Sequence, residues 1–168
     1  MKLDETTISI IRLMKDGRIP FKKIADELSF TEGTIRSRVK KMQEEGILEI
    51  TGLVDPEAVP GQSVVLIGVN LLTMDLVKKA EEISKLKGVI SACVVTGRYD
   101  LFITLTLTKD YGLLEFYTEE MSKISGVRSV ETFVVYKSYN MKIPCDLLSI
   151  GSGPDLEEER RKQENPAL

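Results

Sequence analysis

The sequence predicts an α+β protein of two domains, a small helical one followed by a repeated β-α-β unit. The first 50 residues contain three runs with apolar side chains at helical spacing, separated by turn residues. From residue 63 onwards, strand-like runs alternate with helical runs. Within this second half, residues 83–91 and 121–129 match at Ser, Lys, Gly, Val and Ser, which indicates an internal repeat. A chain of 168 residues is long enough for two small domains.

The first domain, residues 1–53, is predicted to be a winged helix-turn-helix. Asp4 precedes a helix at about 4–15, Pro20 suits the first turn of a helix at about 20–28, and Thr31 is the expected N-cap of a helix at about 32–45. Gly46 ends the third helix. Residues 47–54 have the pattern of two short strands around a turn, which is the form of a wing.

The third helix is predicted to be the DNA-reading element. Ile35, Val39 and Met42 form an apolar stripe at helical spacing, and the other side chains face outwards. The first turns of a recognition helix meet base edges, whereas longer cations reach phosphates. The expected base-edge residues are therefore Thr34, Arg36 and Ser37, and the expected phosphate contacts are Arg38, Lys40 and Lys41, with Thr31 capping an anion site and Gly33 allowing close backbone approach. The alternative is an ordinary solvated helix face.

Composition argues against an enzyme or a metalloprotein. The chain has no histidine, which removes Ser-His-Asp and Cys-His arrangements and most zinc sites. It also lacks a Gly-rich phosphate loop, and Cys93 and Cys145 have no neighbours at metal-ligand spacing. We therefore expect no catalytic activity, no cofactor and no metal.

The charge is distributed unevenly along the chain. The net charge is -3, but residues 1–52 carry ten basic and nine acidic side chains, whereas residues 144–168 carry three and six. A local basic surface matters more for DNA binding than the total charge.

The chain has no apolar run of about 20 residues, and its start has acids where a signal peptide has basic residues, so we expect no membrane contact and a cytoplasmic location.

The second domain, residues 63–143, is predicted to be a ferredoxin-like β-α-β-β-α-β sandwich. A Pro- and Gly-containing linker, residues 54–62, precedes it, and an extension with a flexible acidic tail, residues 144–168, follows it. The expected strands lie at 63–73, 89–96, 101–107 and 127–136, and the expected helices at 74–87 and 110–124. The first strand is apolar on both sides, which favours face-to-face packing of two sheets in a homodimer. Alternatively, the linker and tail cover the sheet.

The motifs together resemble the Lrp/AsnC family of bacterial and archaeal regulators, from Leu3 to about Lys142. The matching stretches lie at residues 16–18, 23–25, 31–39, 45–48, 96–100 and 125–127. The resemblance implies a dimer built on the C-terminal sheets, higher homo-oligomers, and an amino acid or similar small effector held between dimers. It also implies effector-binding roles for Gly97, Tyr99 and Asp100, and for Thr132. The alternative for residues 96–100 is simple hairpin chemistry.

Two other functions compete with a DNA-binding regulator. The chain also resembles siroheme decarboxylases in its two domains. That resemblance implies a need for histidine near the tetrapyrrole, and this chain has none. An assembly module that senses an effector without binding DNA would use the same two domains. The sequence favours the regulator over both alternatives because the capped third helix, its spacing and the predicted wing occur together.

Overall fold

The computed structural model describes residues 3–148, which form two compact units that divide between Gly52 and Leu53. The first unit contains three helices: α1, Glu5–Leu13; α2, Phe21–Leu28; and α3, Glu32–Glu44. Asp4 is the N-cap of α1, and Ser29 ends α2 in the left-handed conformation, with φ of 57°. A core of fully or nearly buried residues joins the three helices: Ile10, Met14, Ile24, Ala25, Ile35, Val39 and Met42. The helix-turn-helix prediction is confirmed.

The second unit has a four-stranded antiparallel sheet and a smaller two-stranded one. The strands are β1, Leu53–Val54; β2, Ser63–Leu71; β3, Val89–Val94; β4, Leu101–Leu107; β5, Val127–Val134; and β6, Ile143–Pro144. Helix α4, Leu76–Ser84, joins β2 to β3. The larger sheet has the order β3-β4-β2-β5 with antiparallel neighbours throughout. This is the predicted ferredoxin-like arrangement, so the α+β fold class is confirmed.

The core of the second unit lies between this sheet and the helical layer. Alternate residues of β2 point into it, because successive side chains of a strand face opposite sides. Val65, Ile67 and Val69 are at most 2% exposed and pack with Ala80 and Ile83 of α4. The intervening positions form the other side of the sheet, which we call the open face: Leu66, Gly68, Phe102, Thr104, Glu131 and Phe133.

The helix predicted at 110–124 is shorter and less regular than expected. This segment, α5, begins with Leu113–Glu115, continues as a π-helical turn, Phe116–Glu120, and ends as a 3-10 turn, Met121–Lys123. The wider π turn brings Met121, five residues after Phe116, to the buried side of the segment. The predicted helix therefore forms as a mixed helical segment over Leu113–Lys123 instead of a regular α-helix over 110–124.

The two strands predicted within residues 47–54 do not pair with each other. The amides of Ile47 and Leu48 bond to the carbonyl of Met42 at 2.8 and 3.3 Å, after Gly46 adopts φ of 66°. These residues therefore terminate α3 instead of starting a wing strand. Leu53 pairs with Pro144, and Val54 pairs with Ile143. The hairpin prediction was wrong because β6, nearly 90 residues away, provides the partner of β1.

The predicted linker, residues 54–62, lies within the second unit and is fixed to it. It contains a 3-10 turn, Pro56–Ala58, and Glu57 accepts hydrogen bonds from the backbone and hydroxyl of Ser138 at 2.7 and 2.9 Å. Lys137 also donates to Glu57. Cys145–Leu147 forms a further 3-10 turn, and the predicted acidic tail from residue 149 onwards lies outside the described residues.

Candidate nucleic-acid interface and effector site

Helix α3 exposes one side and buries the other, as its sequence predicts. Ile35, Val39 and Met42 are 0 to 1% exposed and form part of the core of the first unit. Thr31 is the N-cap, with its Oγ1 accepting from the amide of Thr34 at 3.2 Å. This bond satisfies one of the free amides at the start of the helix and fixes where α3 begins.

The predicted DNA-contacting residues lie together on the outer part of α3. Six of them are exposed: Thr31, Gly33, Arg36, Ser37, Lys40 and Lys41. Thr34 and Arg38, in contrast, are partly buried. The structure therefore combines a capped helix start, two exposed hydroxyls and several cations on one solvent-facing helix, which is the chemistry that base edges and phosphates require.

The sequence analysis did not identify the acidic side chains that pair with the α3 cations. Arg36 Nη2 lies 2.6 Å from Glu32 Oε1, and the Arg36 guanidinium lies 5.3 Å from the centre of the Phe21 ring. Lys40 pairs with Glu44 at 3.6 Å, and Lys41 pairs with Glu45 at 3.9 Å. All three acids are four residues from their partners, so the i,i+4 spacing was the available signal.

Arg38 has a different environment, because it bonds across to α1. Its Nη1 lies 2.9 and 2.8 Å from the two carboxylate oxygens of Asp4, and 2.9 Å from Oγ1 of Thr7. Thr7 in turn donates its hydroxyl to Asp4 at 2.6 Å. Hydrogen bonds from Thr7 and Arg38 hold the pKa of the Asp4 carboxyl well below its usual range.

The segment between β3 and β4 contains three of the four predicted effector residues. Val95 donates to the carbonyl of Asp100, and Asp100 donates to the carbonyl of Val69, both at 3.0 Å. The Asp100 carboxylate accepts from the amide of Leu71 at 2.7 Å. Gly97 has φ of 126°, a conformation that favours glycine, and it is exposed at the tip of the segment. Asp100 thus ties this turn to the end of β2.

Tyr99 lies on the open face of the sheet, inside a group of aromatic rings. Its ring centre is 5.5 Å from that of Phe102 and 6.0 Å from that of Phe133. Its hydroxyl donates to Glu131, which also pairs with Arg98 at 3.0 Å. The hydrogen bond to Glu131 and partial burial raise the pKa of the Tyr99 hydroxyl.

Gly68 lets the Tyr99 ring lie against the sheet. A Cβ atom at Gly68 would lie 2.7 Å from ring carbons of Tyr99, which is closer than carbon atoms pack. A glycine inside a strand often marks such a close approach, so this signal was present in the sequence, but its partner was not identifiable.

Thr132 is on the other side of the sheet from Tyr99. Its hydroxyl lies 2.6 Å from the Tyr117 hydroxyl of α5, and Thr132 pairs in register with the buried Ile67. The structure therefore groups Gly97, Tyr99 and Asp100 in one turn but does not bring Thr132 together with them.

Two cavities of the second unit lie elsewhere. One of about 130 Å³ includes Glu57, Gln62 and Ser138 in its lining, and one of about 290 Å³ includes Lys87, Tyr111 and Leu148. Among residues 3–148, no group of three or more acidic or Cys side chains is placed to hold a metal ion. Within residues 3–148, no helix is both long and apolar enough to cross a membrane.

Comparisons with known proteins agree with both units. Residues 3–49 match the family model described as winged helix-turn-helix DNA-binding, and residues 64–143 match the Lrp/AsnC ligand binding domain. An uncharacterized HTH-type transcriptional regulator of Pyrococcus abyssi is 31% identical over 137 residues, covering 80% of this chain and 87% of the relative.

Solved structures of similar fold include AsnC of E. coli, with a TM-score of 0.58 and 24% identity, covering 84% of this chain and 97% of that one. A transcriptional regulator of Neisseria meningitidis in complex with L-Met has a TM-score of 0.59 and 22% identity, covering 83% and 94% of the two chains. Both folded units and the similarity to regulators over most of the chain point to the same family. The chain therefore belongs to the Lrp/AsnC family of DNA-binding transcription regulators.

Proposed function

We propose that two copies of this chain grip a pseudo-palindromic duplex by placing their α3 helices in successive major grooves. The observation that carries the proposal is the outer surface of α3, where hydroxyls and cations are exposed beside a fully buried apolar stripe. Such a regulator acts where chromosomal DNA lies, so the proposed place of action is the cytoplasm.

Roles on α3 follow from side-chain length and position. Thr34, Arg36 and Ser37 occupy the first turns and are proposed to meet base edges. Lys40 and Lys41, with side chains 75% and 59% exposed, are proposed to contact phosphates. At the helix start, Thr31 and the amide that it caps form the proposed anion site, and Gly33 presents only backbone to the duplex.

The open face is the proposed dimer interface. It carries an apolar strip with Leu66, Phe102 and Phe133, and the helices cover the opposite side of the sheet. Two such faces in contact would remove these side chains from water, which is the main favourable term in stable association. Higher homo-oligomers would then form from these dimers.

The turn with Gly97, Tyr99 and Asp100 is the proposed contact for an amino acid or similar small effector. A solved Neisseria regulator of the same fold binds L-Met, and residues 64–143 match a ligand binding domain. Residues 96–98 are exposed, and turn amides suit a carboxylate, whereas the Asp100 carboxylate suits an amino group. Thr132 would influence such a ligand only through β5, because its hydroxyl is bonded to Tyr117.

The DNA-reading role of α3 can be tested by separating affinity from sequence preference. A preferred site would be selected from a random duplex library, and binding measured by fluorescence anisotropy from 50 to 300 mM salt, a range in which phosphate contacts are strongly screened. Arg36→Ala or Ser37→Ala should change the preferred site, whereas Lys41→Met should weaken all duplexes alike and reduce the salt slope by about 0.9. If Arg36→Ala and Ser37→Ala leave affinity and preference unchanged, α3 does not read the DNA.

A further inference from the structure

Arg38 differs from the other cations of α3 in the direction of its bonds. Its side chain is 32% exposed, whereas those of the other three range from 59 to 75%. Arg36, Lys40 and Lys41 pair within α3 or with its C-cap residue, four positions away. Arg38 instead reaches Asp4 and Thr7, which lie 34 and 31 positions away at the start of α1.

The partners of Arg38 are themselves fixed in place. Asp4 is the N-cap of α1 and accepts from both the amide and the hydroxyl of Thr7, at 2.7 and 2.6 Å. Thr7 is fully buried, so its hydroxyl has no access to water. If Arg38 moved away to contact a phosphate, Asp4 would lose its counter-charge and the buried Thr7 oxygen would lose its donor, which is costly.

We propose that Arg38 is a positioning residue, which holds α3 against the start of α1 through Asp4 and Thr7 and does not contact a DNA phosphate. This inference rests on the proposed reading of DNA by α3, and it replaces the phosphate contact that the sequence predicts for Arg38. Its neighbours Ile35 and Val39 are buried in the core, so the Arg38 bonds lie at the edge of the α1–α3 contact. They therefore fix the angle at which the exposed residues of α3 meet the groove.

The clearest test compares Asp4→Asn with Glu44→Gln, because each change removes one carboxylate partner of an α3 cation. Asn is as good an N-cap as Asp, so Asp4→Asn leaves the start of α1 intact. By charge alone, either change should strengthen binding to a polyanion. We expect Glu44→Gln to bind the selected duplex as tightly as wild type or more tightly, and Asp4→Asn to bind it several-fold more weakly.

A second comparison uses the salt dependence of binding. Lys40→Met should reduce the slope of log K against log salt by about 0.9, the value for one phosphate contact. Arg38→Met should weaken binding of the selected duplex without changing that slope.

These measurements are made where circular dichroism shows every variant to be fully folded. Tighter binding by Asp4→Asn, or a slope reduced by about 0.9 in Arg38→Met, would show that Arg38 contacts a phosphate. Unchanged affinity in folded Arg38→Met would show that the bonds serve stability alone, which also overturns the inference. If Lys40→Met and Ser37→Ala both leave affinity and slope unchanged, α3 is not the reader, and the proposed function fails together with the inference.

Discussion

Gly68→Ala tests whether the close approach of Tyr99 organises the open face. The added Cβ would lie 2.7 Å from two ring carbons of Tyr99 and 2.8 Å from a third. The ring would have to withdraw by about 0.7 Å to reach an ordinary contact of 3.4 Å. It is held by Phe102 and Phe133 on its edges and by the hydrogen bond to Glu131, so it cannot withdraw freely.

The expected magnitude follows from two opposing effects. Forcing an extra methyl group into packed side chains costs about 1–3 kcal/mol. Replacing a strand glycine by alanine recovers roughly 0.5–1 kcal/mol, because the unfolded chain has less freedom to lose. We therefore expect Gly68→Ala to lower the free energy of unfolding of the second unit by about 1–2 kcal/mol.

Urea denaturation followed by tyrosine fluorescence measures this effect selectively. All five tyrosines lie between residues 99 and 139, so the signal reports on the second unit. The protein concentration is kept constant, since dimerisation would make the midpoint concentration-dependent. Tyr99→Ala provides the matched background, because it removes the three atoms that would lie nearest to the added Cβ at position 68.

A double-mutant cycle decides whether the reasoning is correct. In the Tyr99→Ala background, Gly68→Ala should be neutral or stabilising by up to about 1 kcal/mol. A penalty that persists in that background would come from another contact. A Gly68→Ala protein as stable as wild type would show that the ring is not held by its neighbours.

Three further predictions concern a strained residue, a helix glycine and a carboxylate. Ser29→Gly should stabilise the first unit by about 0.5–1 kcal/mol, measured by amide hydrogen exchange in α2 and α3, because φ of 57° is unfavourable for serine; a loss of protection would contradict this. Gly33→Ala should raise the helicity and stability of α3, since the added Cβ meets nothing closer than 3.9 Å. The same change should weaken DNA binding if the backbone at position 33 approaches the duplex, and unchanged affinity would exclude that approach. Hydrogen bonds from Lys137 and Ser138 lower the pKa of Glu57 to about 2, so its stabilising contribution is present above its ordinary pKa of 4.5 and is lost as the pH falls towards 2; an NMR titration should show this pKa, and Lys137→Met should raise it.

Features of the DNA-binding unit that depend on nearby residues were predictable from the sequence. The N-cap at Thr31 and the buried stripe with Ile35 need only residues within α3, and both are present in the structure. The bonds of Arg38 were not predictable, because its partners belong to another helix and no local pattern links position 38 to position 4. Its side chain could equally have faced solvent.

The candidate effector site shows the same limit. Gly97 and Asp100 belong to a recognisable turn motif, so their proximity followed from the sequence. The separation of Thr132 from Tyr99 follows from strand register, since moving by one residue along a strand changes the side of the sheet. Register was not available before the sheet was assembled. The failed wing strands have a similar origin, because β1 pairs with a strand from the far end of the unit.

The acids paired with the exposed α3 cations have a consequence for how the proposed DNA-binding surface would discriminate between duplexes. If α3 docks as proposed, a duplex must draw Arg36 and Lys40 away from Glu32 and Glu44, and the unpaired carboxylates would then repel the phosphates. This penalty applies equally to every sequence, whereas contacts with base edges are gained only at the target. We therefore expect brief residence on random DNA and a larger ratio of specific to non-specific affinity, together with a lower absolute affinity for the target site.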